Sequence, residues 1–327
     1  MKAWLLKDQK GLGSMKMGDA FEPHAVAGEA VVEIFYAALN PADRYLAEGM
    51  YPAKPTFPHI LGRDGVGKVI AVGPGIAGAK VGDAVMILRG ETGVTRPGTL
   101  AEKVAVSVDN LVPVPPDWSI EEAACGTLVY LTAYQALTDW PDLPPKSRVL
   151  ISGASGGVGV ATIQLARAIG HEPIALSRDQ AKWKNLKDLG ATIVLDPNDE
   201  QWVQKLKEML AGKKVELAID NIAGPLLPRV IDALGPNGRL SCIGQLAGPV
   251  PQFSPATLFF KRIVMKGVFV GAYNPSQARQ AWGKVLELLK RTKARPIVDS
   301  IFAFDRVLDA FERLKQGPMG KVLVKIR

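Results

Sequence analysis

Residues 147–170 carry the side-chain pattern most suited to binding a diphosphate. Val149, Leu150 and Ile151 form a short branched apolar run that fits a strand buried on both faces. Gly153, Gly156, Gly157 and Gly159 then strip side chains from a tight turn, and residues 160–169 continue with apolar positions at helical spacing. A helix that starts at such a turn aims unpaired N–H groups and its positive dipole end at the loop, and backbone without Cβ atoms lets a pyrophosphate come close. The spacing Ala154-x-Gly156-x-x-Gly159 follows the dinucleotide fingerprint with alanine in the first glycine's place. Ser155, Gly156, Gly157 and Val158 are the residues expected against the diphosphate.

The tip of the next strand decides between the two nicotinamide dinucleotides. An acid there would bond a free ribose 2′-hydroxyl and repel a 2′-phosphate. This chain has Ser177-Arg178, with Lys182 about one helical turn on, and a hydroxyl with two cations suits a phosphate. Asp179 dissents, but it lies beyond the strand end, where it can cap the following helix. The expected cofactor is NADPH.

These residues need a scaffold. Residues 1 to about 117 hold short strand candidates at 1–6, 29–38 and 66–72, separated by Gly73-Pro74-Gly75 and Val81-Gly82-Asp83 and closed by Pro113, Pro115 and Pro116; this suggests a small barrel or sandwich. From Ser119, a cap with Glu121 and Glu122 in the first turn, helices at 119–137, 181–189, 200–210 and 226–234 alternate with strands at 149–151, 173–176, 193–195, 216–219, 239–243 and 263–270. Helices at 277–290 and 305–315 and strands at 301–304 and 321–326 return to an α+β mixture. The fold class expected is α/β: a β-rich domain of residues 1–118 and 272–327 interrupted by a doubly wound parallel-sheet domain of residues 119–271.

Composition narrows the function. With 327 residues, 47% hydrophobic and 22% charged, the chain can bury two sizeable cores. No apolar run is long enough to cross a bilayer and no signal-peptide pattern opens the chain, so a cytoplasmic location without membrane association is expected. The net charge of +8 is spread along the sequence, with no helix-turn-helix or aromatic-basic RNA motif, so no nucleic-acid partner is expected. Cys125 and Cys242 lack the spacing of a disulfide scaffold or zinc site, and His24, His59 and His171 are far apart. No metal is expected.

Several stretches together resemble the medium-chain dehydrogenase/reductase superfamily, in its zinc-free quinone oxidoreductase-like branch. They are Asn40-Pro41-Ala42-Asp43, Gly49-Met50-Tyr51-Pro52, Leu61-Gly62-Arg63-Asp64-Gly65-Val66-Gly67, Val81-Gly82-Asp83, Leu131-Thr132-Ala133-Tyr134, the glycine turn and Gly320-Lys321-Val322. The resemblance implies a GroES-like catalytic domain with an inserted Rossmann domain, NADPH in the cleft between them, and a homodimer paired through the nucleotide domains. Zinc-dependent relatives carry a Cys ligand where this chain has Asn40, and Gly-His-Glu at Gly62-Arg63-Asp64. The resemblance further places Asn40, Asp43, Tyr51 and Thr132 around nicotinamide and substrate, Asn221 and Gly244 at the rims of later strands, Phe269, Val270 and Gly271 in backbone contact with the carboxamide, and Lys321 on the phosphate side. Apolar residues of 257–266 are expected at a dimer or core surface.

Without a metal, hydride transfer suits double bonds conjugated to a carbonyl, where a polarising donor or proton source completes the step. The expected activity is NADPH-dependent reduction of quinones or other α,β-unsaturated carbonyls, with Tyr51, Asn40 and Thr132 as candidate catalytic residues and a small molecule as substrate. Tyr51 is equally placed to protonate a 2-enoyl thioester or to serve as a cleft wall, and Asp43 reads as a buried structural carboxylate. An enoyl thioester reductase and a noncatalytic NADPH-binding sensor are the alternatives.

Overall fold

Branched and apolar residues between Gly- and Pro-marked turns give the N-terminal part its short strands. The computed structural model describes residues 1–250, 252 and 254–327. The chain runs through β1 (Lys2–Leu6), β2 (Met15–Asp19), β3 (Glu29–Ala38), α1 (Pro41–Ala47), β4 (His59–Ile60), β5 (Asp64–Val72), β6 (Ala84–Ile87), β7 (Lys103–Ser107) and β8 (Leu111–Pro113). It continues with α2 (Ile120–Thr138), β9 (Arg148–Ile151), α3 (Gly157–Ile169), β10 (Glu172–Leu176), α4 (Trp183–Leu189), β11 (Ile193–Leu195), α5 (Trp202–Leu210), β12 (Val215–Asp220), α6 (Leu227–Ala233), β13 (Leu234–Cys242), α7 (Ala256–Lys261) and β14 (Val264–Gly267). The last elements are α8 (Pro275–Thr292), β15 (Val298–Ala303), α9 (Val307–Lys315) and β16 (Lys321–Lys325).

Two compact units result. The first comprises Met1–Leu128, Gly271–Trp282 and Arg295–Arg327, and the second Val129–Val270 and Gly283–Ala294. In the first, the described residues form a sheet in the order β15-β16-β3-β5-β6-β8, with β7 also on β3, and a small antiparallel sheet β2-β1-β4. The C-terminal strand enters beside β3: β16 pairs antiparallel with it, Leu323 opposite Ala38. Strand β3 is apolar on both faces because both are covered, and its Ile34 packs with Leu6, Leu39, Leu61 and Phe311 in the core. Full burial of one such side chain is worth about 1.5–3 kcal/mol.

In the second unit the described strands pair in parallel in the order β11-β10-β9-β12-β13-β14. This is the classic doubly wound order, in which the first strand lies between the second and the fourth. Strands β9 and β12 are central and nearly continuous in apolar residues, as coverage on both faces requires. Trp202, Leu206, Ile231 and Leu240 fill one side of that core.

Two local differences from the sequence-based expectations have simple causes. The helix expected to begin at Ala181 starts as a 3-10 turn, Gln180–Lys182, because the Asp179 carboxylate accepts from the Ala181 N–H at 3.0 Å and tightens the entry. Helix α1 was not anticipated, although Asn40-Pro41-x-Asp43 is a helix-start pattern: the Asp43 carboxylate accepts from the Asn40 N–H at 2.9 Å, and Pro41 occupies the first helical position.

Candidate functional site

In the second unit, the sheet order reverses at the β9/β12 pair, and open α/β sheets bind ligands beyond the carboxyl ends of strands at such a point. The glycines between β9 and α3 divide into two kinds. Gly153 has φ +60°, and a Cβ there would lie 2.8 Å from the Ile222 side chain, so glycine is needed for the turn. A Cβ on Gly159 would fall 2.4 Å from the Gly153 carbonyl oxygen and 2.6 Å from Ala154 backbone, so close packing of helix on turn forbids it. Gly156 differs. It has φ −71° and ψ 171°, open to any residue, and its Cβ would meet only the Gly153 oxygen at 3.5 Å. The space beside it is therefore not filled by protein. Gly156 is the N-cap of α3, whose first N–H groups have no carbonyl one turn earlier to bond.

The same sheet edge collects most of the other expected cofactor residues. Ser177 and Arg178 follow β10, Asn221 follows β12, Gly244 lies just past β13, and Phe269 and Val270 lie just past β14. Adjacent strands carry them, since β10 and β12 flank β9, and β13 and β14 follow β12. Asn221 is pinned: its amide nitrogen donates to the Ser152 carbonyl at 2.8 Å and its backbone N–H to the Ser152 hydroxyl at 2.9 Å. Ser152 in turn donates to Asp220, which also accepts from the Ala223 N–H at 2.9 Å. Burial pushes the Asp220 carboxyl above its usual range, against these hydrogen bonds. Ser177 is buried, with its hydroxyl 3.3 Å from the Asp179 carbonyl. Arg178 is exposed, and Lys182 lies 3.3 Å from the Asp179 carboxylate. Phe269 is exposed, Gly271 lies in the 3-10 turn Val270–Ala272, and Thr132 is buried on α2.

In the first unit a second polar cluster is assembled from distant parts of the sequence. Asp64, at the start of β5, is 1% exposed. One carboxylate oxygen accepts from Lys321 Nζ at 3.0 Å and from Asn40 Nδ2 at 2.9 Å; the other accepts from the Leu128 N–H at 3.2 Å and lies 3.1 Å from the Thr127 hydroxyl, whose single hydrogen has the Ile87 carbonyl closer, at 2.6 Å. Lys321 also donates to Asn40 Oδ1 at 2.6 Å and to the Leu39 carbonyl at 2.9 Å. Beside this group, the fully buried Asp43 faces Arg63 Nε at 3.4 Å, without hydrogen-bond geometry. Burial raises the Asp43 carboxyl above its ordinary range, and Arg63 and the Asn40 N–H pull it partly back. The Arg63 guanidinium lies 4.2 Å from the centre of the Tyr51 ring, a stacking worth about 0.5–2 kcal/mol.

Asn40 and Lys321 are thus in direct contact, and Tyr51 joins them through Arg63 and Asp43. The phosphate contact expected of Lys321 does not fit this placement: an ammonium has three donors, and Asn40, Leu39 and Asp64 take all three. Arg63, Asp64 and Thr127 belong to this polar cluster although they were absent from the sequence-based candidates. His59, buried on β4, has its pKa depressed by that burial. Burial pushes the Cys125 thiol up to about 12 and Cys242 to about 11, so neither is a ready thiolate. Among the described residues, no three His, Cys, Asp or Glu side chains gather as metal ligands, and no helix is long and apolar enough to cross a membrane.

Comparison with known proteins places this architecture. Residues 26–116 match the alcohol dehydrogenase GroES-like domain and residues 157–291 the zinc-binding dehydrogenase family. The human synaptic vesicle membrane protein VAT-1 homolog is 30% identical over 93% of this chain and 81% of its own length. The chain belongs to the medium-chain dehydrogenase/reductase superfamily, in its quinone oxidoreductase-like branch. Another member, the rat quinone oxidoreductase, is 26% identical over 94% of this chain and 92% of its own. Among solved structures of the superfamily, an NAD-dependent alcohol dehydrogenase superposes with a TM-score of 0.91 at 27% identity, covering 100% of both chains. The GroES-like and Rossmann-type sheets described above are those of this superfamily.

Proposed function

We propose that the protein is an NADPH-dependent, metal-free reductase of quinones or other α,β-unsaturated carbonyl compounds. The observation that carries this is the turn between β9 and α3, where Gly156 leaves open space against helix N–H groups at the reversal of the sheet order. Ser155, Gly156, Gly157 and Val158 would hold the diphosphate, and Ser177, Arg178 and Lys182 the 2′-phosphate. Asn221, Gly244, Phe269, Val270, Gly271 and Thr132 would border the nicotinamide half. The pinned Asn221 amide nitrogen leaves its oxygen as the acceptor for a ribose hydroxyl or carboxamide N–H. When bound, the reduced dinucleotide supplies the hydride.

Zinc does not suit the donor set. Asn40 and Arg63 stand where zinc-dependent relatives carry Cys and His, and the Asp64 carboxylate already accepts from Lys321, Asn40 and the Leu128 N–H. Tyr51 keeps the role of candidate proton donor: among the described residues its hydroxyl has no hydrogen-bond partner.

We also propose a homodimer joined through the edge strand β14. That strand pairs with β13 on one side, its Val264 is exposed, and the neighbouring Phe259 and Phe260 on α7 are 64% and 81% exposed. Light scattering on Phe260→Glu should then give a smaller mass than the native protein.

The activity is tested by following NADPH absorbance with quinones, enones and crotonyl-CoA, with NADH as the cofactor control. Oxidation of NADPH by quinones or enones is expected. Turnover of crotonyl-CoA alone would move the assignment to a 2-enoyl thioester reductase, and tight NADPH binding without any turnover would leave a sensor.

A further inference from the structure

The tip of β10 lies wholly within the second unit, beside the glycine turn. The Ala154 N–H donates to the carbonyl of Leu176, the last residue of β10, at 3.2 Å, and Ile151 of β9 pairs with Ala175. A dinucleotide whose diphosphate lies at Gly156 would bring its adenosine ribose to residues 177–183. That segment is closed on itself. The Trp183 indole N–H donates to the Ser177 carbonyl at 3.1 Å, the Ser177 hydroxyl to the Asp179 carbonyl at 3.3 Å, and the Lys182 N–H to the same Asp179 carbonyl at 3.2 Å.

The two cations of the segment are not equivalent. Arg178 is exposed, and among the described residues its guanidinium has no partner. Lys182 faces Asp179: its side chain is only 16% exposed, and its Nζ lies 3.3 Å from the carboxylate. The other Asp179 oxygen accepts from the Ala181 N–H at 3.0 Å. One carboxylate thus holds the turn and engages the lysine. Lys182 can meet a 2′-phosphate in two ways. It can leave Asp179, which gives up the ion pair, or stay, which sets a carboxylate close to a phosphate dianion. Both weaken phosphate binding, and neither affects a ribose that carries only hydroxyls.

We infer, on the basis of the NADPH site proposed above, that Asp179 is a specificity-determining residue of that site: by engaging Lys182 it narrows the preference for NADPH over NADH that Ser177, Arg178 and Lys182 would otherwise set. Arg178 then carries most of the selection for the phosphate. Lys182 contributes in full only when the charge at 179 is removed. The capping role of Asp179 is separable from this one, because an amide or hydroxyl oxygen caps as well as a carboxylate.

Asp179→Asn and Asp179→Ser both keep an oxygen for the Ala181 N–H and remove the charge. Calorimetric titrations compare NADPH with NADH, and adenosine 2′,5′-bisphosphate with adenosine 5′-monophosphate. The variants should bind the member of each pair that carries the 2′-phosphate about 3- to 10-fold tighter than the native protein does. Affinity for the other member and the urea unfolding midpoint should stay as they are. The gain should fade in about 1 M KCl, where exposed charges are screened; a structural effect of the substitution would persist there. An unchanged ratio within each pair, in both variants, would overturn the role of Asp179. So would a loss of NADH affinity without a gain for NADPH, the mark of a carboxylate that accepts from a ribose hydroxyl. Should the native protein and the variants bind neither NADPH nor adenosine 2′,5′-bisphosphate, the cofactor assignment falls and the role of Asp179 falls with it.

Discussion

Gly156 and Gly159 lie one helical turn apart, yet alanine should affect them in opposite ways. At Gly159 the added Cβ would meet backbone at 2.4 and 2.6 Å, atoms that cannot swing aside, so the turn or α3 must shift. Overpacking of this kind costs about 1–3 kcal/mol. At Gly156 the nearest atom is 3.5 Å away and the backbone is already in a region alanine favours. Losing glycine at the N-cap costs under about 1 kcal/mol, and stiffening the unfolded chain returns about 0.4–1 kcal/mol, so stability should hardly change. A methyl there would instead stand where a diphosphate oxygen approaches the helix N–H groups. Loss of one charge-assisted hydrogen bond is worth about 1.5–3 kcal/mol, or roughly 10- to 150-fold in Kd. Urea unfolding and NADPH fluorescence titration measure the two effects separately. Gly156→Ala should keep the unfolding midpoint and lose affinity, whereas Gly159→Ala should lose the midpoint first. If Gly156→Ala binds NADPH as tightly as the native protein, the diphosphate does not lie against this turn.

Three further outcomes are expected. Arg178→Gln should reduce the NADPH-to-NADH ratio of kcat/KM by roughly tenfold or more, the worth of a charge-assisted phosphate contact; an unchanged ratio removes Arg178 from cofactor selection. Lys321→Met leaves Asp64 buried and unpaired and should destabilise the fold by about 3–5 kcal/mol in urea, whereas adding Asp64→Asn should recover much of the loss. Burial holds His59 below its ordinary pKa of 6.5, so its contribution to stability is full above 6.5 and is lost as pH falls toward the depressed value. Unfolding free energy should decline on acidification below 6.5, and His59→Gln should flatten part of that decline, with His171, shifted in the same direction, accounting for more. A His59→Gln profile identical to the native one would show that folding leaves the pKa of His59 unshifted.

What the sequence made legible was what is local. Gly153 to Gly159 specify strand, turn and helix within a few residues, and the strands and helices that follow alternate at a spacing only a parallel sheet satisfies. The shortest strands were not legible: β4 spans His59–Ile60 and β8 Leu111–Pro113, too few residues for alternation to show. Asn40-Pro41-x-Asp43 was legible as a pattern but not as a helix start, because α1 covers only Pro41–Ala47 and lacks a long periodic stripe. The cluster itself was beyond local pattern. Lys321 and Asp64 are 257 positions apart, and nothing in either neighbourhood announces that a β16 lysine will meet a β5 aspartate. That pairing exists because β16 enters the sheet beside β3, next to the strand that carries Asp64.

The two buried acids of that cluster are balanced by two cations of different shape, and the difference divides their work. An ammonium is compact and its donors splay like a tripod, which suits the oxygens of Leu39, Asn40 and Asp64 gathered around Lys321. A guanidinium is planar, so Arg63 can lie on the Tyr51 ring, stay within 3.4 Å of Asp43 and still extend an edge beyond both. Exchanging the two would leave an acceptor unmet at 321 and the phenol uncovered at 63. Lys321 therefore fixes Asn40 and Asp64 in place, while the Asp43–Arg63 pair is held more loosely, at 3.4 Å and without a hydrogen bond.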